Sequence, residues 1–160
     1  MQTAGPLADR LGLTIRTTPL LRETMLGEWE GLTREEIEAR GDGPLLQAYR
    51  QDPYQNRPPS GETLEAAWER MLEARDMIRK IHPEGQIAIV GHGGSLRVLL
   101  CDALDAPITS MRRLWLANVS VSIIEEERGG DGVYTKRLTL LNDTGHLANL
   151  EPPDPGSASL

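Results

Sequence analysis

A chain of 160 residues, 39% hydrophobic and 26% charged, fits one globular domain able to bury roughly two thirds of its unfolded surface. Its formal net charge of -7 argues against broad nucleic-acid binding, which needs clustered Lys and Arg, but leaves room for one small phosphate held by local geometry. One cysteine, Cys101, excludes an internal disulfide, and no run approaches the ~18 apolar residues of a membrane span.

The start, Met1-Gln2-Thr3-Ala4-Gly5-Pro6, has neither the basic beginning nor the apolar run of a signal peptide, so a cytoplasmic protein is expected. Ala4, Leu7, Ala8 and Leu11 have helical spacing, with Gly12 as the stop; residues 13–17 then read as a short strand. Thr33-Arg34-Glu35-Glu36 is a capping box, which opens a helix reaching about Arg40 and stopped by Gly41 and Gly43. Another turn or two of helix is expected over 44–50, then a Pro-rich loop over 52–61. Ser60 or Gly61 is the expected start of the longest helix. Its stripe is Leu64, Ala67, Trp68, Met71, Ala74, Ile78 and Ile81, and Pro83 ends it.

Ile87-Ala88-Ile89-Val90 is wholly apolar and reads as a strand buried on both faces of a parallel sheet. Gly91-His92-Gly93-Gly94-Ser95 follows, then Leu96, Leu99, Leu100, Ala103 and Leu104 at helical spacing. The segments 119–125 and 133–141 flank Arg128-Gly129-Gly130-Asp131-Gly132 and predict a hairpin. The Pro, Gly and Ser-rich tail over 151–160 is expected to be disordered, leaving 1–150 as the domain. The alternation of strands and helices predicts an α/β sheet with a late antiparallel addition.

The turn after Val90 carries the clearest chemistry. Ligands of open α/β sheets bind beyond the carboxyl ends of strands, and a helix N-terminus there offers free N–H groups and partial positive charge. Gly93 and Gly94 let backbone approach an anion, and His92 adds a donor that titrates near neutrality. Arg97 lies one short step along the helix. Glycines in such turns also serve packing alone, so both readings stay open from this segment. The Rossmann and Walker patterns fail, and no Gly-x-Ser-x-Gly elbow occurs. The scattered His82, His92 and His146 make no metal cluster.

A second place is Leu21-Arg22-Glu23-Thr24-Met25-Leu26-Gly27-Glu28-Trp29-Glu30-Gly31. A carboxylate on such a loop can protonate a leaving alcohol, although on spacing alone most glutamates are solvated surface and Trp29 is a core or lid residue.

Taken in order, these segments resemble the histidine phosphatase superfamily, on the branch of small bacterial phosphatases and phosphoglycerate mutases. Gln2-Thr3-Ala4 is similar to the end of an Arg-Ala-x-Gln-Thr-Ala helix, and Leu21-Arg22-Glu23 with Gly27-Glu28-Trp29-Glu30-Gly31 to the acid loop. Gly61-Glu62-Thr63 is similar to a helix entry, and Gly91-His92-Gly93-Gly94 to the second-histidine turn. Asn118-Val119-Ser120-Val121-Ser122 and Asn142-Asp143-Thr144-Gly145-His146-Leu147 resemble closing strands.

The resemblance implies an α/β fold of three layers, a mostly parallel sheet with helices on both faces. It implies a phosphomonoester hydrolase working through a phosphohistidine, without metal or other cofactor, on a small phosphorylated metabolite. It implies Glu23 as proton donor and later base, His92 as stabiliser of the transferring oxygens, and the backbone at Gly93 and Gly94 as phosphate contacts. His146 is expected to support the site or to be structural.

The family's Arg-His-Gly, which carries the nucleophile on the first strand, does not occur here, and Met1 stands where the helix arginine would precede Gln2. The expectation is a chain missing its first strand and following helix, about 30 or more residues, and inactive in this form. His92 is not expected to replace the nucleophile. A strand edge left open at 87–90 costs about 1–3 kcal/mol per unpaired buried group, which predicts instability, aggregation, or filling of the gap by another segment or a homo-oligomer. Three alternatives stand beside this reading: a catalytically dead relative binding phospho-ligands or a protein, a phosphoglycerate mutase, and an unrelated nucleotide-binding α/β domain. The short span from Trp29 to Gly61 favours phosphatase over mutase.

Overall fold

The computed structural model describes residues 2–148. The tail expected to be disordered, 151–160, lies outside them. Helix α1 covers Gly5–Leu11 and ends where Gly12 takes φ +63°, its N–H bonded back to Ala8 and Asp9 carbonyls. Helix α2, Arg34–Ala39, opens with the full capping box: Thr33 Oγ1 accepts from Glu36 N, and the Glu36 carboxylate accepts from Thr33 N. Helix α3 is Gly43–Gln51 and α5 is Gly93–Ala103.

The longest helix, α4, is Leu64–Ile81 and begins later than expected. Ser60 has φ +57° and Gly61 N bonds to Pro58 O, a turn that cannot enter a helix. Thr63 supplies the cap instead, its hydroxyl accepting from Ala66 N at 3.1 Å. Leu64, Ala67, Met71 and Ala74 of the stripe are buried; Ile81 at its end is exposed.

Two cores hold the described residues. The larger joins Leu64 and Met71 of α4 to Val98, Leu99 and Cys101 of α5 and to Met111, with Leu21, Ile89 and Ile124 against it. The smaller is Trp29, Ile37 and Leu46. Gly27 places Trp29 there. At φ +57° it lets the 27–29 turn lie against 59–61, where a Cβ would come within 2.3 Å of Pro59 O.

The sheet departs from expectation. The strands among the described residues are β1, Val121–Arg128, and β2, Tyr134–Asp143, an antiparallel pair with Ile124 opposite Leu138 and irregularities between Val121 and Ile124. This is the predicted hairpin, but no parallel sheet accompanies it there. Segments 13–17 and 87–90 are not strands, and Ile87 and Val90, expected to be buried on both faces, are 44% and 42% exposed. A strand exists through its ladder partner, and among the described residues neither segment has one. Local composition announced strand-forming residues without supplying the neighbour.

The hairpin is tied to the helices largely by charge. Arg79 holds the Glu126 carboxylate through two bonds of 2.7 Å and stacks 4.2 Å over the Tyr134 ring. Lys136 reaches the Asp102 carbonyl and lies 2.8 Å from Asp105 Oδ1.

Candidate active site

The loop that follows the 3-10 turn Pro19–Leu21 carries Glu23 to the head of α5. Glu23 Oε1 accepts from Ser95 N at 2.8 Å and from Thr24 N at 2.8 Å, and Oε2 accepts from Gly94 N at 2.9 Å. Three amides and the positive end of the helix dipole thus converge on one carboxylate. Gly94 must be glycine for this to happen: a Cβ there would sit 2.3 Å from Glu23 Oε1. Gly93 has nothing within 4 Å of its Cβ position. The glycine-lined cup expected for an external anion therefore holds the chain's own carboxylate at Gly94 and Ser95.

His92 is the N-cap residue of α5, exposed, with extended backbone. It directly precedes the glycines that Glu23 touches, so Glu23 and His92, 69 positions apart by number (92 − 23), meet at one helix end. Arg97 turns away from the cup: Nε donates to Gly93 O at 2.8 Å, and Nη1 to the carbonyls of Met111 and Leu114 at 3.4 Å.

The loop itself is held from below. Arg70 of α4 and Glu62 form a two-bond pair, Nε–Oε1 2.9 Å and Nη2–Oε2 2.7 Å, with side chains only 8% and 6% exposed. Burial pushes the Glu62 carboxyl up, but the Arg70 hydrogen bonds and charge, helped by Met25 N–H and Arg22, hold it below its usual 4.5 overall. The sign follows: a depressed carboxyl contributes stability that is complete above its unfolded value and is lost as pH falls through the folded value. Glu62→Gln is expected to cost about 1.5–3 kcal/mol at neutral pH. In urea melts the gap between it and the unaltered chain should close as the pH drops below about 4.5; a constant gap would contradict the pairing.

A family model for the histidine phosphatase superfamily (branch 1) matches residues 1–143. The chain belongs to that superfamily. A bifunctional protein of Mycobacterium tuberculosis is 35% identical over 145 residues, covering 91% of this chain and 38% of its own length. Glucosyl-3-phosphoglycerate phosphatase of Mycobacterium tuberculosis is 34% identical over 116 residues, 68% of this chain and 51% of its own length. The chain thus spans 38% of the one and about half of the other. Among solved structures, Bacillus stearothermophilus YhfR aligns with a TM-score of 0.79 at 29% identity, covering 91% of this chain and 70% of that one. Relatives include phosphatases and probable phosphoglycerate mutases, and the structural neighbours have the histidine phosphatase, phosphoglycerate mutase-like fold.

Within this histidine phosphatase fold, Tyr49 is a residue not singled out from sequence that feels the charge of the site. Tyr49 of α3 packs edge-on against Trp29, ring centroids 5.9 Å apart. Burial lifts its phenol above the usual 10, the nearby Glu23 charge lifts it further, and Arg97 opposes. The only sequence signal was its place beside Leu45 and Leu46 on a short helix. Trp29 itself is a core residue, its Nε1 donating to Asp42 Oδ2 at 3.0 Å.

The remaining histidines stand apart. His146 is exposed in the Gly145–Leu147 turn. His82 caps the end of α4 beside a cavity of about 250 Å³ whose walls include Arg79, Ile87, Ile89, Ile124 and Tyr134, but neither Glu23 nor His92. Among the described residues no three His, Cys, Asp or Glu are grouped to hold a metal ion. No described helix is long and apolar enough to cross a membrane.

Proposed function

We propose that the chain is a phosphomonoester hydrolase domain of the phosphohistidine type, acting on a small phosphorylated metabolite, with Glu23 and His92 on the leaving-group side of the site. The observation that carries this reading is the Glu23 carboxyl resting on the Gly94 and Ser95 amides beside His92. In this reading the ester oxygen–phosphorus bond breaks as a phosphorus–nitrogen bond forms to the family's nucleophilic histidine, and the Glu23 carboxyl passes its proton to the leaving oxygen. The resulting carboxylate then takes a proton from the water that attacks phosphorus, and the phosphorus–nitrogen bond breaks to release phosphate and the histidine. His92 and the backbone at Gly93 meet charge on the equatorial oxygens, while the Gly94 amide, expected as a phosphate contact, is taken by Glu23. No Arg-His-Gly occurs in residues 1–160, so the groups assigned are those that stabilise and protonate, not the one that attacks.

The proposed fold is the three-layer sheet with helices on both faces, with residues 1–150 as one domain; the TM-score of 0.79 supports it. The span between Trp29 and Gly61 holds only α2 and α3, which favours hydrolysis over a mutase reaction. A reducing cytosol suits a chain whose cysteine, Cys101, is buried and free.

Glu23→Gln tests the assignment. In a form that carries the Arg-His-Gly segment, loss of the acid should slow hydrolysis of alkyl phosphates by roughly 10²–10⁴-fold while slowing p-nitrophenyl phosphate, whose leaving group needs no proton, far less. Equal slowing of both would remove Glu23 as the acid. Calorimetry on residues 1–160 separates the binding-only relative: affinity for phosphate esters with no turnover favours it, and absence of both leaves this span without either function.

A further inference from the structure

Arg70 projects from the buried stripe of α4, beside Ala67, Met71 and Ala74, where an apolar residue would pack at less desolvation cost. Its guanidinium is nonetheless fully used. Nε and Nη2 take both oxygens of Glu62, and Nη1 donates to Leu20 O at 2.6 Å and Arg22 O at 3.0 Å. Glu62 completes the strap. Its carboxylate accepts from Arg22 Nη2 at 2.8 Å and from Met25 N at 3.4 Å, and its own N–H donates to Met25 O at 2.9 Å.

These bonds grip the loop at 20 and 22 on one side and at 25 on the other. Glu23 lies between the two grips and is free to point the opposite way, onto Gly94 and Ser95 of α5. A buried ion pair is weak evidence of stabilisation, but a planar fork fixes direction as well as distance. We infer that Arg70, anchored by Glu62, is a positioning residue that sets the Glu23 carboxylate on the Gly94 and Ser95 amides. The catalytic meaning of that placement rests on the phosphatase reading; the placement itself does not.

The test follows the Gly94 and Ser95 amides of the full chain by ¹H–¹⁵N NMR from about pH 3 to 8. Three ionisable groups bear on them. Glu23 touches them, His92 adjoins them, and Tyr49 titrates above the range. Glu23→Gln identifies the Glu23 step as the one it abolishes. Arg70→Lys keeps the charge but not the fork, and Arg70→Met keeps the bulk but neither.

In both variants the Glu23 step at Gly94 and Ser95 should fall by about half or more, while the spectrum of α5 beyond Val98 is preserved. In a form that carries the Arg-His-Gly segment, turnover of alkyl phosphates should fall about tenfold or more in kcat with KM within about twofold. If Arg70→Met does not fold, Arg70→Lys decides. A full-sized Glu23 step in a folded variant, or no such step in the unaltered chain, overturns the inference. Amide steps as expected, with no hydrolysis of phosphate esters by a form that carries the Arg-His-Gly segment, would sink the phosphatase reading and leave the positioning role standing.

Discussion

Trp29→Ala is expected to lower the unfolding free energy by about 3–5 kcal/mol, the range for deleting a buried indole. Trp29 is 2% exposed and is the largest member of the smaller core, where Ile37 and Leu46 close around it. Truncation leaves a hole that short helices α2 and α3 are poorly able to refill, removes the edge-on Tyr49 contact, and takes the Nε1 donor from Asp42. Trp29→Phe should keep most of the packing and lose chiefly the hydrogen bond, about 0.5–1.5 kcal/mol. Trp115, 75% exposed, is the internal control; its alanine variant should stay within about 0.5 kcal/mol of the parent. Urea melts followed by circular dichroism read all three, and equal losses at Trp29 and Trp115 would contradict the assigned core.

Gly94→Ala is expected to separate folding from chemistry. Its new Cβ would lie 2.3 Å from Glu23 Oε1, 2.9 Å from Cδ and 3.0 Å from Oε2, distances no real contact sustains. The atoms that must yield belong to the end of a flexible side chain, so the carboxylate is expelled and the helix remains. Gly94 is the second residue of α5, so alanine's helix preference over glycine, at most about 0.8–1 kcal/mol, offsets part of the lost carboxylate bonds, and the chain should remain folded. In a form that carries the Arg-His-Gly segment, hydrolysis of alkyl phosphates should nevertheless fall roughly 10²–10⁴-fold, the range for losing a positioned general acid. Gly93→Ala, with open space at its Cβ, is the matched comparison. If both alanines have the same effect on rate, the contact between Glu23 and Gly94 has no part in the reaction.

What the sequence disclosed was what depends on near neighbours. Thr33 and Glu36 specify their capping box within four residues, and Gly12 ends α1 because a left-handed residue is needed there. The hairpin was legible because its turn lies between its strands. The start of α4 was misplaced because Ser60, Gly61 and Thr63 all look like caps; the choice depends on the backbone turn at Pro58. Segments 13–17 and 87–90 have strand composition, but pairing is a property of two segments and composition reports one.

The site was legible as a set and not as an arrangement. Glu23 and the Gly93-Gly94 turn were assigned to one site through family resemblance, yet that the carboxylate itself occupies the Gly94 and Ser95 amides could not be read across a separation of 71 and 72 residues. Arg70 was overlooked although it left a trace, a cation within the buried stripe of Ala67, Met71 and Ala74, eight positions after Glu62. Tyr49 left none beyond its apolar neighbours.

The manner in which the β1–β2 hairpin is fastened makes dissolved salt act in two directions on one molecule. Arg79–Glu126 and the Lys136 contacts are partly open to solvent, and their attraction fades as the screening length shrinks from about 8 Å at physiological ionic strength to about 3 Å at 1 M. The α4–α5 core, built on Met71, Val98 and Cys101, is tightened by salts that are excluded from protein surfaces. Concentrated sulfate thus braces the helical body while it slackens the tethers of the ribbon.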